Sequence, residues 1–389
     1  MSTTLGIYIH IPFCKRKCPY CDFNSFALNP IPEKDYIRSI INELESVIKK
    51  EDSIHCKPPD TIDTIYIGGG TPSAISPKYI KEILDKLHKS FKLKSEAEIT
   101  IEVNPAAVDK DKLKEYKNFG INRLSIGVQS FDNKVLKILG RIHNTEDAVK
   151  TYGDARNAGF ENIGIDLMFG IPEQTLDMWL TAVEMAISIK PEHISIYGLT
   201  IEQDTEFYCM QKKGNLILPD EETYILMYES AIQRLKHAGY IHYEISNFSL
   251  PDYESKHNLR YWQGLDYIGI GAGAHSYISS ETWGKRFWNE EDVFKYMDKI
   301  ERHGNAASGM EILTKEKAIR EFIFLGLRQV NGINAKRFCE RFNLPLTDKY
   351  FEVIPDLKKN NLIEADGDII RLTQRGLALS DAVFTEFFD

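Results

Sequence analysis

The sequence predicts an α/β fold built on a mainly parallel sheet, and three observations lead there. Short β-branched runs alternate six times with amphipathic segments, polar residues gather at the C-terminal ends of those runs, and helical segments take over from about Glu311. Such alternation implies right-handed crossovers between parallel strands, in a sheet that is either open and doubly wound or curled into a full or partial barrel.

The first run covers residues 5–11. Over 36–48, the residues Tyr36, Ile37, Ile40, Ile41, Leu44, Val47 and Ile48 recur at helical spacing and form one apolar stripe, so this segment reads as a core-facing helix. Further strand-like runs cover 64–67, 99–103, 123–128, 162–168 and 193–197. Helical patterns cover 79–91, 110–119, 145–158, 176–189 and 221–238. The cysteines follow the first run, and the second ends in Gly68-Gly69-Gly70-Thr71-Pro72. Glu102 and Asn104 end the third, Gln129 and Ser130 the fourth, Asp166 sits in the fifth, and the sixth runs into Thr200. An open sheet collects ligands mainly at one switch point, whereas a barrel uses all its strand ends; six polar ends favour the barrel.

Three regions follow from this reading: a barrel over 1–240, an aromatic- and glycine-rich connection over 241–310, and a helical unit over 311–389. Within the connection, 240–248 reads as a seventh, edge-type strand and 253–288 as a cover over the barrel mouth. The last unit shows helices over 318–327, 335–342 and 350–360, then a hairpin over 362–372 turning at Asp366-Gly367-Asp368. That order resembles a winged helix. Such modules often bind DNA, but a net charge of -9 argues against a phosphate-backbone partner and for a substrate-side or partner-side role.

No window approaches the roughly 18 uninterrupted apolar residues of a membrane span, and the N-terminus lacks a basic flank before a signal-length apolar stretch, which places the chain in the cytoplasm. Six cysteines in 389 residues do not make a disulfide framework. Cys56, Cys209 and Cys339 are scattered and read as structural, while Cys14, Cys18 and Cys21 have C-x3-C-x2-C spacing in one loop. Three thiolates can converge on one inorganic centre, and Lys15, Arg16 and Lys17 would favour the thiolate forms. A structural zinc site normally has four protein ligands, and His10 or a distant residue would have to supply the fourth. A [4Fe–4S] cubane held by three thiolates keeps one iron open. Reduced cysteines in a turn, or a zinc clip, are the bland alternatives.

C-x3-C-x2-C after the first strand, with GGGTP after the second, resembles the radical S-adenosylmethionine superfamily. The resemblance implies a partial (β/α)6 TIM-type barrel, here with the C-terminal winged-helix-like domain, and an open iron that chelates the methionine end of S-adenosylmethionine. The stretches YIHIPFCKRKCPYCDF, GGGTPS, IEVNP, RLSIGVQSFD, IDLMFGIP and HNLRYW look like its coproporphyrinogen III dehydrogenase-like branch and span nearly the whole chain. Carried over position by position, Tyr8 and Tyr20 would flank S-adenosylmethionine, Gly69, Gly70 and Thr71 would meet its methionine end, and Glu102 its ribose. A carboxylate is a pure acceptor suited to paired hydroxyls. Gln129, Arg141 and Asp166 match further contact positions, which in the dehydrogenase serve a second S-adenosylmethionine. Read without the family, Gln129 and Asp166 fit an internal hydrogen-bond network and Arg141 a solvated surface.

The branch contains both dehydrogenases and heme chaperones. The dehydrogenase has another cysteine two residues after the last cluster cysteine, where this chain has Phe23. The hexapeptide His257-Asn258-Leu259-Arg260-Tyr261-Trp262 matches the H-N-x-x-Y-W signature of the heme chaperones and offers His257 as a heme ligand, with Tyr261 and Trp262 as flat apolar surface. On residue chemistry alone, His275 in GIGAGAHSY is its equal. The resemblance therefore implies a chaperone that carries heme as cargo, an electron donor for the cluster, and heme-acceptor proteins, respiratory ones among them. The alternative is oxidative decarboxylation of coproporphyrinogen III by a 5′-deoxyadenosyl radical.

Overall fold

A computed structural model of the chain describes residues 4–49, 59–279 and 283–388. Cys56 lies outside the described residues. Strand β1 (Leu5–Ile11) leads through the cysteine loop to helix α1 (Glu33–Lys49), whose stripe is buried at Tyr36, Ile37, Ile40, Leu44 and Val47. Five more repeats follow: β2 (Thr61–Gly69) and α2 (Pro77–Ser90), β3 (Lys92–Val103) and α3 (Lys110–Asn118), then β4 (Arg123–Gln129) with α4 (Asn133–Ile138) and α5 (Thr145–Asn157). After these come β5 (Ile163–Phe169) and α6 (Leu176–Ser188), and β6 (His193–Gly198) with α7 (Glu206–Lys212) and α8 (Glu221–His237). Strands β1 to β6 are parallel neighbours in sequence order.

Strand parity decides what the barrel encloses, because successive side chains point to opposite faces. Ile7, Ile9, Ile65, Ile67, Ile101, Ile126, Ile165 and Ile194 are wholly buried in one core cluster with the stripe of α1. Each such isoleucine contributes roughly 1.5–3 kcal/mol on burial. The alternate positions carry Tyr66, Glu102, Ser125, Asp166 and Tyr197, which line one interior cavity.

The sheet stays open. It continues past β6 into a hairpin of β7 (Ile241–Glu244) and β8 (Asn247–Ser249), with β8 antiparallel to β6. The segment expected as a single seventh strand is therefore two short ones. Its backbone is drawn away between them, since Ile245 N–H donates to Arg328 O and the Tyr228 hydroxyl donates to Ile245 O.

Part of the segment expected over the barrel mouth lies elsewhere. Its helix α9 (Lys256–Trp262) packs at the N-terminal ends of the strands, opposite the cysteine loop: Lys256 and His257 N–H donate to Glu98, and Arg260 donates to Thr4 O and pairs with Asp63. Asp63 is near the start of β2 and Glu98 lies beside Thr64 at the same level of the sheet, so the helix is a floor. Strand β9 (Tyr267–Ile270) then pairs parallel with β1, and β10 (His275–Ile278) and β11 (Lys285–Asn289) extend the sheet beyond it. Helix α10 (Val293–His303) leads to the edge strand β12 (Ala307–Ile312). Buried Glu43 of α1 ties this extension down, accepting from Gly271 N–H, Asn289 Nδ2 and the Tyr296 hydroxyl at 2.9, 2.6 and 2.5 Å.

The C-terminal unit runs α11 (Lys315–Arg328), β13 (Ile333–Asn334), α12 (Ala335–Phe342), α13 (Leu346–Lys349) and α14 (Val353–Lys359). It closes with β14 (Ile363–Asp366), β15 (Ile369–Leu372), α15 (Gln374–Ala378) and α16 (Ser380–Glu386). Its strand order, β13-β15-β14, is that of a small wing sheet behind three helices. Among the described residues, no helix is long and apolar enough to cross a membrane.

Candidate functional site

The loop after β1 folds back on itself through Cys14 N–H to Phe26 O, at 3.0 Å, and Phe26 N–H to Pro12 O, at 2.7 Å. The glycine loop after β2 is laced to it, with Gly70 N–H donating to Ile11 O and Thr71 N–H to Phe13 O. These contacts explain the glycines. A Cβ on Gly70 would stand 2.9 Å from Cys14 Sγ, and Gly69, at φ +119°, would place one 2.7 Å from the His10 ring.

Cys14 is buried, and Cys18 and Cys21 are half-buried. Each thiol meets a different partner: Cys14 the Thr71 hydroxyl at 3.4 Å, Cys18 the Arg141 Nη1 at 3.8 Å, Cys21 the Ser25 hydroxyl at 4.0 Å. Burial pushes the Cys14 and Cys21 thiols up, against hydrogen bonds that pull them down. The lysines expected to favour thiolates do not reach them, since Lys15 Nζ donates to Ala106 O and Lys17 Nζ to Phe23 O. Arg141, a contact position by resemblance and a solvated surface residue on its chemistry alone, is the cation at the thiols. Its Nη2 donates to Gly127 O at 2.8 Å, which turns the guanidinium inward.

All three thiols line a cavity of about 370 Å³ together with Tyr20, Gly69, Gly70, Thr71, Glu102, Gln129, Arg141 and Asp166. Glu102 accepts from the Tyr66 hydroxyl at 2.8 Å and from Gly69 N–H at 3.1 Å, and burial raises its pKa to about 7. Asp166 accepts from Ser125 Oγ at 2.8 Å, and burial again raises its pKa. Gln129 holds φ at +67°, a left-handed conformation costly for a residue with a side chain, at the end of β4. Tyr66, Ser125 and Tyr197 also line this cavity and escaped the sequence reading. Alternation within their own strands would have found them, since each sits between or beside buried apolar neighbours: Ile65 and Ile67, Leu124 and Ile126, Ile194 and Ile196.

Tyr8 stands apart from Tyr20. It lines a second, larger cavity of about 830 Å³ between the sheet extension and the C-terminal unit, and its hydroxyl meets His10 Nδ1 at 2.9 Å. His10 Nε2 is engaged by Asn24 O at 2.8 Å, so neither nitrogen of His10 is free to complete a zinc site. Phe23, Gly69 and Glu102 line both cavities, which therefore adjoin.

His257 does not reach either cavity. It is wholly buried, with Nδ1 2.8 Å from Thr64 Oγ1 and Nε2 2.8 Å from the Tyr261 hydroxyl. The ring offers no free nitrogen to a heme iron. His275, by contrast, is exposed on β10 and lines the larger cavity.

Residues 8–186 match the radical SAM superfamily and residues 313–379 the HemN C-terminal domain. The heme chaperone HemW of Bacillus subtilis (strain 168) is 39% identical over 98% of this chain and 98% of its own length. The chain belongs to the HemW family. The Escherichia coli (strain K12) heme chaperone HemW is 42% identical over 71% of this chain and 70% of its own. Among solved structures, coproporphyrinogen III oxidase (HemN) from Escherichia coli, a radical SAM enzyme, superimposes with a TM-score of 0.85 over 99% of this HemW-family chain and 90% of that one, at 24% identity. That likeness concerns the fold: the parallel sheet with its helices, and the C-terminal helical unit behind them.

Among the described residues, no three or more His, Cys, Asp and Glu are arranged to hold a single metal ion. The thiols of this HemW-family chain line one cavity, each with its own partner. Three separately placed thiols fit a cubane, whose three ligated irons each take their own thiolate, better than a zinc ion, which needs its ligands about one point.

Proposed function

We propose that this chain is a heme-binding chaperone of the cytoplasm that carries heme to acceptor proteins, respiratory ones among them. In this reading Cys14, Cys18 and Cys21 hold a [4Fe–4S] cluster, served by an external electron donor. S-adenosylmethionine occupies the rest of the 370 Å³ chamber. Bound there, the pair would supply one-electron chemistry at the sulfonium. The observation that carries the reading is the meeting of the two loops: three thiols and a glycine-rich backbone line one chamber, with the Glu102 carboxyl group accepting from Gly69 N–H beside them.

The residues divide the work of binding. Gly69 and Gly70 bring backbone within reach of an amino-acid moiety, Glu102 accepts from ribose hydroxyls, and Tyr20 lies beside Arg141 at the thiol end. Asp166, Ser125 and Gln129 line the same chamber and are the polar groups available to a second ligand or to substrate. Arg141 sits by Cys18 and holds positive charge against the cluster thiolates.

Phe23 supports the chaperone over the decarboxylase. Its ring is 63% exposed and stands where both cavities meet, at the position where the dehydrogenase carries a cysteine. The test is anaerobic reconstitution with iron and sulfide, followed by parallel heme titration and incubation with coproporphyrinogen III. Stoichiometric heme binding without carbon dioxide release is expected. Formation of protoporphyrinogen would overturn the reading.

A further inference from the structure

We infer that heme is held in the cleft between the sheet extension and the C-terminal unit, with its iron on His275 and its carboxylates on Arg337 and Arg341. The inference rests on the chaperone reading above and adds the place and the ligands.

The cleft has the size and walls of a macrocycle site. At about 830 Å³ it is more than twice the cysteine chamber and lies within the range of organic-ligand pockets. Tyr267 and Tyr277 of the extension and Phe322 and Leu325 of α11 line it, so both units contribute apolar surface.

His275 is the histidine that this cleft leaves available. His10 and His257 each have both ring nitrogens engaged. Among the described residues, no hydrogen bond to either nitrogen of His275 is formed. Its ring stacks on Trp288, the cross-strand partner on β11, with centroids 5.8 Å apart and planes at 19°. The stack fixes the plane of the imidazole without occupying its lone pair. Partial burial and the nearby Arg286 lower its pKa, so the ring is neutral and able to ligate at neutral pH.

The charge of the cleft selects an anionic macrocycle. Arg286 is already paired with Glu321 at 2.8 Å. Arg337 and Arg341 lie one helical turn apart on α12, line the same cleft, and make no ion pair among the described residues. Two guanidiniums at that spacing match two propionates, which they can hold in bidentate fashion. The cleft shares Phe23, Gly69 and Glu102 with the cluster chamber, so cargo placed here sits beside the proposed S-adenosylmethionine site.

The test is titration of the full-length chain with ferric heme, followed by absorption spectroscopy. His275→Ala is expected to bind at least tenfold more weakly and to lose the histidine-ligated Soret band, with added imidazole restoring the band. Arg337→Gln/Arg341→Gln is expected to weaken heme at least tenfold while leaving heme dimethyl ester, which lacks the carboxylates, unchanged. His257→Gln is expected to keep the wild-type spectrum. If His275→Ala keeps wild-type affinity and spectrum while the wild type binds heme, the placement is wrong and the chaperone reading stands. If the wild type binds none, the chaperone reading itself fails.

Discussion

His257 Nε2 lies 2.8 Å from the Tyr261 hydroxyl, one turn along the same helix, and the imidazole stacks on the Tyr66 ring. Burial, then the charge of Arg260, pushes the His257 pKa to about 3. The native state therefore holds the ring neutral while the unfolded chain takes a proton below about pH 6.5. Stability is lost as pH falls from that value towards 3. His257→Gln, which stays neutral, should show about 2 kcal/mol less acid loss between pH 6.5 and 5. His257→Ala strands two buried hydroxyls and should cost about 2–3 kcal/mol at pH 7. Urea unfolding at the two pH values checks both. Parallel wild-type and Gln curves would show that the ring is not what responds to acid.

Glu102 should make S-adenosylmethionine binding depend on pH. Its carboxyl is raised to about 7 by burial and by the neighbouring Asp166, against hydrogen bonds from Tyr66 and Gly69. Only the ionised form can accept from both ribose hydroxyls. Affinity should rise as pH climbs through about 7 and then level off. Glu102→Gln should bind ten- to a hundredfold more weakly, the equivalent of about 1.5–3 kcal/mol, with a flat profile. Calorimetric titration of the reconstituted protein from pH 6 to 8.5 measures this; a flat wild-type profile would remove Glu102 from the ribose.

Much of this was readable in the sequence because periodicity reports directly on burial. The six repeats and the α1 stripe came from patterns of two and 3.6, and the three cysteines from spacing alone. What escaped depends on contacts far apart in the chain. Without the resemblance Arg141 reads equally well as surface, and the acceptor at Gly127 O shows it turned inward. Segment 253–288 has the composition of a cover, but α9 is anchored at the barrel floor by Glu98 and Asp63, residues nearly 160 and 200 positions away. His257 and His275 cannot be ranked by local sequence, since what separates them is whether Thr64 and Tyr261 occupy the ring.

The cysteines should separate into two classes. Cys14→Ala, Cys18→Ala and Cys21→Ala should each fail to retain roughly four irons with matching sulfide and the broad absorption near 400 nm after anaerobic reconstitution. Cys209→Ala and Cys339→Ala lie on α7 and α12, away from the chamber, and should reconstitute fully. Zinc at one per chain with no sulfide in the wild type would favour the clip instead.

Glu43 should be the residue on which the sheet extension depends. Three donors from β9 to α10 converge on its buried carboxyl group. Glu43→Ala leaves them unmet and should cost about 3 kcal/mol or more. The loss should be local first: amide exchange in β9, β10 and β11 should accelerate while β3 to β5 keep their protection. Burial lifts the Glu43 pKa to about 7, so the native state holds a proton that the unfolded chain gives up above about pH 4.5. This contribution to stability falls as pH rises from about 4.5 to about 7. The penalty of Glu43→Gln, which never ionises, should therefore shrink by up to about 3 kcal/mol across that interval. Unfolding of both proteins at pH 4.5, 6 and 7.5 gives the trend, and a penalty that grows with pH would mean that Glu43 is ionised in the folded protein throughout.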